Sequence, residues 1–77
     1  MNEKCVLVFN MMDGSQFESE VLNMPKEQAI ENLSQIATAP SVNVVAIEED
    51  EETGVEMKVN RVVNPFNIKY IDVVERI

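Results

Sequence analysis

Glu48, Glu49, Asp50, Glu51 and Glu52 form the longest run of chemically active side chains in the sequence. Carboxylates in a row can dock against a basic protein surface or hold a hard divalent cation weakly. The alternating ligands and central glycine of a calcium loop are missing, so no metal site is expected. The simplest account of the run is a solvated hairpin tip whose repulsion discourages sheet edges from associating. If these five residues do bind something, the expected partner is a basic protein surface.

Catalysis finds little to work with. Histidine is absent, which removes the commonest general base and zinc ligand, and with one cysteine neither a Ser/His or Cys/His pair nor a Cys/His zinc site can be assembled. The two glycines, Gly14 and Gly54, fall in apparent turns, leaving no phosphate-binding loop or dinucleotide fingerprint. Asp13, Asp72 and Glu75 are candidates for an acid–base pair, but no spacing brings them together. The chain is therefore expected to be noncatalytic and to carry no cofactor.

Four further features call for placement. Cys5 lies in an apolar run, where a buried thiol behaves as a small hydrophobe with a raised pKa. Met11, Met12, Met24 and Met57 suit a core or a subunit interface. Arg61 interrupts the apolar face of its strand, and is expected to pair with Glu75 or Asp72, to bind an anionic group, or to mark the rim of that face. Phe66 and Tyr70 follow an Asn64-Pro65 break, where aromatic rings can anchor a partner or line a pocket. Arg61, Phe66 and Tyr70 together are the candidate ligand-binding set.

The elements that position these residues follow from periodicity. Cys5 to Met11 reads as a strand, Asp13-Gly14 as a two-residue hairpin turn, and Ser15 to Leu22 as a second strand, half-exposed and near an edge because Gln16, Glu18 and Glu20 share one side. Pro25 opens a helix running to about Ala37, with Ala29, Ile30, Leu33, Ile36 and Ala37 as its apolar stripe. Thr38-Ala39-Pro40-Ser41 ends it. Val42 to Glu49 and Val55 to Val63 read as the third and fourth strands, Phe66 to Lys69 as a helical turn, and Tyr70 to Glu75 as the last strand.

That order, ββαβββ, predicts one α+β domain over residues 1–77: a mainly antiparallel sheet with a helix on one face, or a small curved barrel plugged by the helix. Cys5-Val6-Leu7-Val8-Phe9 and Val42, Val44, Val45, Ala46 and Ile47 present apolar side chains to both faces, whereas one helix covers one face only. Sheet curvature, another part of the chain or a second copy must bury the other, and a homodimer joined through that second face is the expectation.

Seventy-seven residues with 45% apolar content make one foldable domain of thin core. A net charge of −8 repels nucleic acid and anionic membranes. The lone cysteine, the short N-terminal apolar run and the lack of a span of ~20 apolar residues place the chain in the cytoplasm as a soluble protein. In size, acidity and lack of histidine it is similar to small phage-encoded inhibitors, a likeness of class that carries no motif and transfers no residue. The expected function, with the homo-oligomer drawn from the two-sided apolar strands, is a noncatalytic binding protein that modulates or inhibits a protein partner through its acidic face. The alternative is an oligomer that sequesters a small anionic ligand between subunits.

Overall fold

A computed structural model describes residues 3–35 and 39–76. In chain order the elements are β1 (Lys4–Met11), β2 (Gln16–Ser19), α1 (Lys26–Leu33), β3 (Val42–Glu49), β4 (Glu56–Val63), a 3-10 turn (Pro65–Asn67) and β5 (Ile68–Arg76). The predicted α+β order ββαβββ is found, and every strand pairing is antiparallel. The strands lie in the order β4-β3-β2-β1-β5.

Two local expectations are corrected. The β1–β2 connection is a three-residue loop: Gly14 N–H donates to the Met11 carbonyl at 3.0 Å and Met11 N–H to the Ser15 carbonyl at 2.9 Å. Gly14 alone takes a positive φ, of 91°, so Asp13 stays in the ordinary region and the left-handed residue follows the turn, as a three-residue hairpin requires. The Asp13 carboxylate accepts the Ser15 N–H and hydroxyl, which fixes the loop from within. Second, β2 is the central strand, not an edge. Its polar side faces solvent on the outside of the sheet, while Phe17 and Ser19 are buried on the inside.

The β4–β5 connection dictates the shape of the sheet. These strands are its two edges, and Val63 and Ile68 sit at diagonally opposite corners, one opposite Val42 and the other opposite Met11. On a flat sheet those corners would stand on the order of 30 Å apart, given ~4.8 Å between strands and ~3.3 Å per residue. Five backbone steps reach at most ~18 Å, and the 3-10 turn shortens them further. The sheet therefore coils until the corners meet. Val63 and Ile68 pack on one cluster with Phe9, Phe17, Val44 and Ala46, and Leu7, Met11, Val42 and Ile71 line its margin.

Register assigns all of these side chains to the concave face, so curvature buries what a second layer would otherwise have to cover. The convex face is mixed. Gln16 donates to Asn10 at 2.8 Å and Asn10 to Asp72 at 3.4 Å across β2, β1 and β5, and Lys58 pairs with Glu20 at 3.4 Å. Val8, Val45 and Ile47 lie among them, half-buried.

Helix α1 packs chiefly on β5 and β1. Ala29 is buried, Leu33 half-buried and Ile30 exposed; Ile36 and Ala37, which complete the predicted stripe, lie outside the described residues. Lys26 ties the first turn to Glu75 at 3.6 Å. At this end of β1 both Cys5 and Val6 are buried although they point to opposite faces.

Candidate interaction surface

Phe9, Phe17, Arg61 and Glu48 form a chain of contacts across the concave face. Phe9 and Phe17 are opposite in register, their rings 4.8 Å apart and inclined by 4°. Arg61 places its guanidinium carbon 4.7 Å from the Phe17 ring centre and donates to the Glu48 carboxylate. Register sets Ala46 between Val44, which faces Arg61, and Glu48, so the smallest side chain on β3 leaves the space across which the arginine reaches. The expected partners of Arg61 are not the ones it takes: Asp72 accepts from Asn10, and Glu75 pairs with Lys26. The Arg61 charge is met within the chain, over an aromatic face that suits a cation.

The acidic run divides by strand alternation. Glu48 turns to the concave face and Arg61, whereas Glu49 turns to the convex face opposite Glu56. Asp50 closes the hairpin: its N–H donates to the Val55 carbonyl at 2.9 Å, its carbonyl accepts the Gly54 N–H at 2.8 Å, and its carboxylate accepts the Glu52 N–H at 2.9 Å. Gly54, at φ 72°, makes the left-handed return. Glu51 and Glu52 project into solvent at the tip. Among the described residues, Glu49, Glu51, Glu52 and Glu56 face no cation in an ion pair.

The aromatic candidates stand on other elements than Arg61. Arg61 is on the β4 edge and Tyr70 on the β5 edge, pointing from the convex face opposite Asn10. Phe66 rides on the 3-10 turn and is 89% exposed. The turn is pinned: the Asn64 side-chain oxygen accepts the Phe66 N–H at 3.0 Å, the Asn64 carbonyl accepts the Asn67 N–H at 2.9 Å, and the Asn67 carbonyl accepts the Met12 N–H at 2.8 Å. Met12, 65% exposed, is thus tied to the turn that bears Phe66, next to a cleft of about 430 Å³ lined by Met11, Met12, Asp13, Ser15 and Asn67. Of the other methionines, Met57 is exposed and Met24 half-buried. Sequence reasoning missed this junction of Met12 with the turn that bears Phe66, because residues so distant in sequence meet only once the sheet coils.

A second concavity, of about 230 Å³, opens where β2 stops short, between Leu7, Phe9, Ser19, Leu22, Val42 and Val44. Ser19, Glu20 and Asn43 are the polar residues of its lining, and the Ser19 hydroxyl accepts the Leu7 N–H at 3.0 Å and donates to the Glu20 carbonyl at 2.9 Å. Cys5 is buried; desolvation first, and the Glu75 charge second, push its thiol above the ordinary range. Asp13, Asp72 and Glu75 are not brought together: Asp13 is in the hairpin loop, Asp72 is opposite Val8 on the convex face, and Glu75 is opposite Cys5. Among the described residues no group of three or more metal-ligating side chains converges, and no helix is long and apolar enough to cross a membrane. No known protein family, curated protein or solved structure matches this sequence.

Proposed function

We propose that this chain is a small noncatalytic binding protein of the cytoplasm, self-associating, which modulates a protein partner through the acidic β3–β4 hairpin. The observation that carries the reading is that Glu49, Glu51, Glu52 and Glu56 gather on one hairpin and, among the described residues, face no cation in an ion pair, in a chain of net charge −8. An anionic surface held in fixed geometry favours a basic partner by raising the rate of encounter and by rejecting acidic competitors. Glu48 belongs to the Arg61 pair and contributes to the hairpin's rigidity, leaving Glu49, Asp50, Glu51 and Glu52 to face a partner. A reducing compartment suits the buried free Cys5.

The test is capture from native lysate with tagged wild type and with a Glu49→Gln/Glu51→Gln/Glu52→Gln variant. Wild type is expected to retain a basic protein in low salt and release it as salt rises, and the variant to lose it. Equal retention by both would remove the hairpin from the binding surface. Sequestration of a small ligand between subunits is the second reading, favoured by the exposure of Phe66 and Tyr70. A small molecule that co-purifies in native mass spectrometry would select it over the first.

A further inference from the structure

The end of the sheet at the β1–β2 hairpin carries a knob beside a cleft. The knob is Phe66, and three hydrogen bonds of the turn that bears it, one of them from its own N–H to the Asn64 side chain, fix the ring's attachment before any contact is made, so burying it orders little else. The cleft, about 430 Å³, begins one residue away at Asn67 and is walled by Met11 and Met12, whose thioethers suit the edge of an aromatic ring. Phe66 stands in solvent instead of filling it. A patch that offers both a projecting ring and a receptive cleft is self-complementary, the condition for a twofold contact.

Charge points to the same occupant. Asp13 lines the cleft, and the Ser15 hydroxyl and N–H that it accepts hold its carboxyl below the usual range and therefore anionic. Lys69 is the bulged residue of β5, unpaired in the ladder between Ile68 and Tyr70, exposed, and without an ion pair among the described residues. A twofold axis through the patch sets each Asp13 against the Lys69 of the other copy. The molecule measures 37 × 35 × 18 Å, so one end offers roughly 600 Å² per copy, the lower bound for a stable interface.

Building on the self-association proposed above, we infer that two copies dimerise about a twofold axis at this end, Phe66 of each entering the Met11–Met12 cleft of the other with Asp13 opposite Lys69. Because each copy carries −8, their long-range repulsion opposes the contact and salt screens it. The dimer is expected to tighten as salt rises, the reverse of what a basic partner does.

Sedimentation equilibrium of the full chain over micromolar concentrations, in low and high salt, tests this. Phe66→Ser, at an exposed position and with its fold checked by circular dichroism, is expected to weaken dimerisation at least about tenfold. Lys69→Glu is expected to weaken it, and Asp13→Asn, which keeps an acceptor oxygen for Ser15 while removing the charge, to weaken it likewise. A wild type that stays monomeric at every concentration and salt overturns both this dimer and the proposed self-association, leaving the acidic-hairpin reading intact. A dimer indifferent to Phe66→Ser overturns this contact alone. A monomeric wild type whose captured partner is lost on Phe66→Ser overturns the dimer in favour of a different protein at the knob.

Discussion

Replacing Arg61 by methionine separates an arginine that holds the fold from one kept for a ligand. Methionine preserves an unbranched stem over the concave face and removes the guanidinium, and with it both the contact on Phe17 and the Glu48 pair. A partly desolvated cation over an aromatic face contributes about 1 kcal/mol. The ion pair has side chains 35% and 39% exposed, so solvent screening holds its share to about 0.5 kcal/mol. Loss of both, with Glu48 left unpaired beside Phe17, should cost about 1.5–2 kcal/mol, or roughly 6–15 °C in midpoint for a domain of this size. The assay is urea unfolding of wild type, Arg61→Met, Glu48→Gln and the double variant. The cycle is expected to yield a coupling energy of about 0.5–1 kcal/mol that shrinks in high salt. An Arg61→Met protein as stable as wild type, or strictly additive variants, would refute the internal role and return Arg61 to the ligand-binding set.

Two further outcomes follow from burial. Phe9 is 1% exposed at the centre of the coiled face, so Phe9→Ala should cost about 3–5 kcal/mol and leave a chain with ~4–12 kcal/mol to lose close to unfolding at room temperature; a cost below about 1 kcal/mol by denaturant titration would show that the sheet does not close over it. Cys5 ionises above its ordinary value near 9.0 because burial and Glu75 disfavour the thiolate. Its stabilising effect is therefore complete below about pH 9 and is lost as pH climbs through the raised folded value, which a urea series at rising pH should show for wild type and not for Cys5→Ala.

Local chemistry was legible where neighbours in sequence decide it. Apolar runs located β1 and β3, and alternation β4, to within a residue, Asp13-Gly14 located the hairpin, and the Asn64-Pro65 break located the short turn. The turn type was not legible, because Asp-Gly serves both two- and three-residue loops and the pairing of Met11 with Ser15 selects between them. Nor was the central position of β2, whose polar residues resemble those of an edge strand. A convex, solvated outer face produces the same pattern in the middle of a sheet.

By itself the sequence determined the element order and the lack of histidine and phosphate-loop chemistry, since these depend on residue type and on local spacing. Tertiary structure decided the rest. A link too short to cross a flat sheet forces it to coil, and that coiling buries Phe9, carries Arg61 over Phe17 to Glu48, and brings Met12 beside the turn that bears Phe66. Which strands become neighbours depends on chain closure over the whole domain, and no local window of residues contains that constraint.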